Sequence, residues 1–168
     1  QTHSNKFIYI NKNRKIENKK FKADAIITDQ RKLPIGILTA DCVPILIYDN
    51  VFKIIAAIHA GWKGAYKGII NKVVKFMIKK GCKSKNIYAA IGPCISQKNY
   101  NVKKDLLKRF LNKNKKNSIF FKKRKNVIYF DLPRFVISQL KSNKISNIDH
   151  INIDTFDINN NFLVQEDH

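Results

Sequence analysis

Apolar positions in this chain fall into short runs whose spacing changes from one run to the next. Val43-Pro44-Ile45-Leu46-Ile47-Tyr48 and Ile54-Ile55-Ala56-Ala57-Ile58 are rich in β-branched residues and flank an Asp49-Asn50 turn signal. That pattern predicts a hairpin of two buried strands. Shorter runs at Phe7–Ile10, 23–28, 33–38, Ile87–Ile91, Val127–Phe130 and Ile148–Ile153 predict further strands. Pro34 sits at the start of its run, where a missing donor is tolerated. After Gly64 the period lengthens. Ile69, Ile70, Val73, Val74 and Met77 fall on one helical face, predicting a helix that follows Gly64 and runs to about Lys80, with Gly81 as its stop. Two more amphipathic segments, 103–111 and 132–141, predict helices, the second with Pro133 in its first turn. The stretch 112–117 is expected to be a basic loop, and 11–20 a polar connection. Strands first, then alternating helices and strands, point to an α/β or α+β fold: one mixed central sheet flanked by helices, in a single domain over residues 1–168.

The hairpin concentrates the chemistry. Cys42 precedes its first strand and His59 follows its second. An antiparallel pair joins the start of one strand to the end of the next, so thiolate and imidazole are expected at the same sheet edge. Both are donor types that zinc favours. Asp41 beside Cys42 fits two roles equally: bonding to the local backbone, or orienting a ligand and moving a proton. Lys63 lies near the expected helix start between Gly61 and Gly64, where backbone can approach a ligand closely; it is the candidate phosphate contact. Cys94 is expected to be a packed small residue, and His150 and His168 surface residues. Asp24 and Asp29 bracket an apolar run and fit turn positions.

Ordered motifs carry a family resemblance: QTH at Gln1–His3, ADAIITD at 23–29, TADC at 39–42, HAGWKG at 59–64, IGPCI at 91–95 and FDLP at 130–133. Together they resemble the laccase-domain family, also called multicopper polyphenol oxidase-like, across roughly residues 1 to 140. The resemblance implies purine nucleoside phosphorylase activity with adenosine deaminase activity. It adds His3 as a third metal ligand to Cys42 and His59, and Gln1 as a substrate contact. It implies Zn2+ as the metal, with copper a less favoured choice. Three protein ligands leave a fourth position for water, the arrangement of catalytic zinc sites. Purine nucleosides and phosphate are the implied partners. The family usually carries Arg where this chain has Lys63; Lys keeps the charge and loses the fork. An arginine-bearing tail usual in the family does not follow Asp154-Thr155 here.

Composition narrows the picture further. The 168 residues are 44% hydrophobic, enough for one folded core. No apolar run approaches a membrane span, so no membrane association is expected. The chain opens on Gln1 without a Met and is expected to be trimmed from a longer protein. Three cysteines in no framework spacing favour a reducing, cytoplasmic location. The formal net charge of +21 comes mainly from scattered Lys, whereas clustered Arg would mark a specific nucleic-acid reader, so none is expected as partner. Alternatives from other classes are a metal-dependent polyphenol oxidase, a Cys42–His59 thiol enzyme such as a cell-wall precursor hydrolase, and a non-catalytic basic binding protein. Oligomeric state is not legible.

Overall fold

The computed structural model describes residues 1–11 and 21–160. The expected connection at 11–20 and the position of His168 therefore lie outside the described residues, apart from Asn11.

A six-stranded mixed sheet forms the centre. Its strands are β1 (Phe7–Ile10), β2 (Ala25–Thr28), β3 (Val43–Asp49), β4 (Ile55–Ala60), β5 (Ile87–Ile91) and β9 (Asn147–His150), in the order β1-β2-β4-β3-β5-β9. The outer pairs β1/β2 and β5/β9 are parallel, and the inner pairs are antiparallel. A second, three-stranded antiparallel sheet has the order β6-β8-β7, from Asn101–Val102, Val127–Phe130 and Phe121–Arg124. The helices are α1 (Trp62–Tyr66), α2 (Ile69–Lys79), α3 (Lys104–Lys113) and α4 (Leu132–Ser142).

The β3–β4 hairpin turns where the sequence predicted. Asp49 is buried and accepts from the backbone amides of Val51 and Phe52 at 3.0 and 2.7 Å, an Asp turn that fixes the register. Val43, Ile45 and Ile47 point inward with Ile87, Ala89 and Ile91 of β5. Against them pack the buried α2 residues Ile69, Ile70, Val73, Val74 and Met77. Burying each such side chain contributes about 1.5–3 kcal/mol. From α4 come Phe135, Val136 and Leu140.

The structure departs from the sequence expectations in several places. Of the two hairpin strands β4 is buried almost throughout, as expected, whereas β3 is buried on one face only. Leu46 is 57% exposed, and Tyr48 and Tyr88 are exposed beside it. The helices cover the face carrying Ile45 and Ile47, so alternate residues of β3 look outward. Residues 33–38 form no strand; Leu38 is 83% exposed, and among the described residues no strand pairs with the segment. The single helix expected after Gly64 is two, and the first already starts at Trp62. Gly68 adopts a left-handed conformation (φ 80°), and its amide turns back to Ala65 O, ending α1 before α2 begins. The expected loop at 112–117 is the end of α3 followed by a 3-10 turn from Lys115 to Phe120, started by the Asn114 side chain accepting from Lys116 N. The last strand stops at His150, earlier than the alternation through Ile153 predicted.

Candidate metal centre

Strand register builds the site. The β3–β4 ladder pairs Pro44 with His59 and Val43 with Ala60, so one step further Cys42 faces Gly61. His59 lies inside β4 rather than after it, and it is 3% exposed. Cys42 and His59 are then diagonal neighbours across the hairpin, within side-chain reach. His3 arrives from the N-terminal segment. Its Nε2 is 3.9 Å from Cys42 Sγ, and its ring meets that of His59 edge-on at 5.0 Å. One donor atom from each of His3, Cys42 and His59 falls within 4.8 Å of the others.

What holds His3 in place is Asp24. The β2–β4 register pairs Ala25 with Ile58, which sets Asp24 across from His59. Asp24 is fully buried. Its Oδ1 accepts from His59 Nδ1 at 3.1 Å and from the amides of Thr2 and His3 at 2.9 and 3.0 Å. Its Oδ2 accepts from Ser4 N, Ser4 Oγ and Thr2 Oγ1 at 2.8, 2.6 and 2.9 Å. One carboxylate thus gathers the chain entry and one imidazole. Burial alone would raise its pKa; the hydrogen bonds from Ser4 and Thr2 outweigh that and hold the carboxyl well below the usual range. The gathered turn puts His3 at φ 49°, a left-handed backbone that a non-glycine residue adopts only when its surroundings dictate it. Burial lowers the pKa of His59, partly offset by the Asp24 hydrogen bond, so the ring is favoured neutral. With Nδ1 committed to Asp24, Nε2 carries the lone pair.

This donor set suits a metal ion. Two imidazoles and a thiol are zinc and copper ligands, and a carboxylate behind a ligating histidine fixes its tautomer and aim. The space between them is kept open by a missing side chain. A Cβ on Gly61 would stand 2.8 Å from Cys42 Sγ and 3.0 Å from His3 Cδ2. Gly64 lets the chain entry lie close, since a Cβ there would stand 2.7 Å from Ser4 O.

A cleft of about 530 Å³ opens beside the centre, lined among others by Trp62, Lys63, Tyr100, Lys103, Asp105 and Arg109. Tyr100 connects the two. Burial raises the pKa of its hydroxyl, and the charges of Cys42 and Asp41 add in the same direction. Lys63 is exposed, with Nζ 5.7 Å from the centre of the Trp62 ring. It lies in the first turn of α1, a helix of five residues. Asp41 Oδ1 accepts from Thr155 Oγ1 at 2.8 Å, and the Asp41 carbonyl accepts from Ile95 N. It ties the hairpin entry to the C-terminal segment, whereas the carboxylate that orients His59 is Asp24. Gln1 is exposed, two residues before His3. Cys94 is buried, as expected, and burial followed by the Asp154 charge pushes its thiol up to about 12. His150 is half-buried in a second cleft of about 490 Å³, rather than on the open surface. The sequence showed Asp24 only as an acid before an apolar run and Arg109 only as a member of its helix, and it placed Tyr100 in no element; their signal lies in strand register and tertiary packing.

The fold and the three-donor centre define a class that comparison with known proteins also finds. Residues 1–163 match the family model described as multi-copper polyphenol oxidoreductase laccase, and the chain belongs to that family. It is 41% identical over 137 residues to a purine nucleoside phosphorylase of Rickettsia conorii, covering 80% of this chain and 56% of the relative. It is 35% identical over 127 residues to a purine nucleoside phosphorylase of Aquifex aeolicus, covering 76% and 56%. Among solved structures it is similar to the hypothetical protein YfiH of Bacillus licheniformis, with a TM-score of 0.84 and 27% identity over 92% of this chain and 62% of that one. The chain thus spans little more than half the length of these curated relatives. Among the described residues no helix is long and apolar enough to cross a membrane.

Proposed function

We propose that this chain is the core of a zinc-dependent, cytoplasmic purine nucleoside phosphorylase that also deaminates adenosine. The observation that carries the reading is the convergence of His3, Cys42 and His59 within 4.8 Å at the edge of an aromatic and cationic cleft. The curated relatives named purine nucleoside phosphorylase support the substrate class. A bound zinc supplies Lewis acidity and lowers the pKa of water to about 7. The protein's part is positional. Asp24 fixes the His59 tautomer and anchors His3. Trp62 and Tyr100 offer flat faces to a purine, and Lys63 offers charge to phosphate. Gln1, exposed two residues before His3, contacts the nucleoside. Asp41 Oδ2, the oxygen not engaged by Thr155, moves the proton. Phosphorolysis converts nucleoside and phosphate into free base and ribose 1-phosphate. Deamination converts adenosine and water into inosine and ammonia.

The test is metal content and turnover of four purified variants. Cys42→Ala, His59→Ala and His3→Ala are each expected to lose zinc and activity, because two protein ligands hold zinc poorly. Cys94→Ala is expected to keep both. A wild-type protein that turns over nucleoside without metal would end the zinc mechanism, and reloading with copper tests the alternative ion.

A second reading has one specific observation behind it. Cys42 Sγ lies 3.9 Å from His3 Nε2, which offers a thiol–imidazole dyad through His3 beside the Cys42–His59 pair. Activity that survives chelation and dies with alkylation would favour it.

A further inference from the structure

Among the cations lining the cleft beside the metal centre, one differs in kind. Lys63 and Lys103 are exposed ammonium groups on flexible stems, while Arg109 presents a planar guanidinium. The backbone behind Arg109 is firmly anchored. Its neighbour Phe110 is fully buried among Tyr66, Phe121, Phe130 and Phe135, with ring centroids 4.9 to 5.5 Å away. The Arg109 carbonyl also accepts the Tyr66 hydroxyl, tying α3 to α1, the helix that carries Lys63. The one acid in the lining is Asp105, a turn earlier on α3; no ion pair joins it to Arg109 among the described residues. Three cations against one acid leave an excess of positive charge facing the cleft.

We infer that Arg109 is the phosphate-selecting residue of this cleft, taking two oxygens of inorganic phosphate with its fork while Lys63 and Lys103 neutralise the others. This rests on the phosphorolysis reading, and it deepens it by separating the two substrates. Phosphate lies on the α3 side, and the nucleoside lies between the aromatic rings and the metal centre. A rigidly based guanidinium matches the geometry of a tetrahedral oxyanion in a way that two mobile ammonium groups do not.

Equilibrium dialysis of the zinc-loaded protein against labelled inorganic phosphate, and separately against adenosine, tests this. Arg109→Ala is expected to weaken phosphate binding by about tenfold or more, and Arg109→Lys to recover only part of it, since a point charge replaces a bidentate contact. Adenosine affinity is expected to stay within about twofold, because the lost contact is not to the nucleoside. Lys85→Ala, an equal charge change in the 3-10 turn that precedes β5, controls for general attraction to a basic protein. Arg109 is exposed, so the variants are expected to fold, which thermal unfolding verifies. Unchanged phosphate binding in Arg109→Ala overturns the inference. So does full recovery by Lys, or an equal loss for adenosine. Phosphate binding lost in Arg109→Ala, in a wild type that phosphorolyses no nucleoside, upholds the subsite and removes the phosphorylase reading. Phosphorolysis with an unchanged phosphate KM in Arg109→Ala removes the subsite and leaves that reading in place.

Discussion

Asp24 Oδ1 accepts from His59 Nδ1 at 3.1 Å while the same oxygen accepts the amide of His3, so a single buried atom sets the positions of both imidazoles. The pairing follows from the β2–β4 register, and it makes the metal centre depend on a residue that cannot itself reach the metal through these oxygens. Asp24→Asn keeps one acceptor and turns the other position into a donor facing donors. Each buried donor left unpaired costs about 1–3 kcal/mol. We expect a lower melting temperature and metal affinity reduced about 10–100-fold, the usual effect of losing the partner behind a metal-ligating histidine. Competition titration against a chelator measures the second quantity, and wild-type affinity in Asp24→Asn would remove Asp24 from the centre.

This relationship also marks what could be foreseen from residues. The Cys42–His59 juxtaposition was legible because it needs only a hairpin, and a hairpin is local: two apolar runs and an Asp-Asn turn. The mixed sheet and the helical face Ile69–Met77 were legible for the same reason, since their periodicity is in the chain. Asp24 was not, because its role is created by a strand register that brings it to His59, 35 residues away, and adjacency to Cys42 pointed to Asp41 instead. Residues 33–38 carry the apolar content of a strand but pair with no strand among the described residues. The break between α1 and α2 turns on the left-handed Gly68, which helical spacing alone does not reveal. His3 could be placed only through the family resemblance; the structure adds the physical cause, a carboxylate that accepts the amides of Thr2, His3 and Ser4.

Acid stability is expected to depend on Asp154. Its carboxylate accepts from Ser96 N and Oγ, Asn99 Nδ2 and Phe156 N, joining the loop after β5 to the C-terminal segment. Burial would raise its pKa, but these bonds lower it overall. A carboxylate whose pKa is lower folded than unfolded binds fewer protons in the folded state. Its contribution is therefore fully present above about pH 4, the unfolded value, and is lost as pH falls through the folded one. Asp154→Asn is expected to be less stable than wild type at pH 7 and to lose less on further acidification. Urea midpoints between pH 7 and pH 3 check this, and parallel curves would contradict it.

Thiol chemistry should separate the three cysteines. Cys82 and Cys94 are each 3% exposed, and burial pushes both thiols up to about 12, with Asp49 and Asp154 respectively adding to the shift. Neither offers thiolate near neutral pH, and thiolate is the reactive form. Cys42 is half-exposed at the centre. Native, chelated protein is expected to take one iodoacetamide adduct, at Cys42, and zinc-loaded protein none. Unfolded protein should take three. Peptide mass spectrometry locates the adducts, and labelling of Cys94 as fast as Cys42 would refute the burial argument.

Gly61 gives the sharpest test of whether the space among the three donors is used. Its backbone (φ −72°, ψ 167°) is open to any residue, so alanine there imposes no conformational strain. The only obstacle is the new methyl group, 2.8 Å from Cys42 Sγ and 3.0 Å from His3 Cδ2. Both neighbours are side chains at the centre, with His3 exposed, so they can turn aside at small cost to the fold. Turning aside moves the thiol and the His3 imidazole off any shared metal position, and zinc tolerates little displacement of its ligands from tetrahedral geometry. Gly61→Ala is therefore expected to unfold within a few degrees of wild type, about what a change near 1 kcal/mol produces, while its zinc content falls well below one per chain. If the centre does not bind metal, the substitution should leave metal content unchanged and affect only packing. Elemental analysis beside a thermal melt distinguishes these cases, and a Gly61→Ala protein with full zinc would show that the metal sits elsewhere.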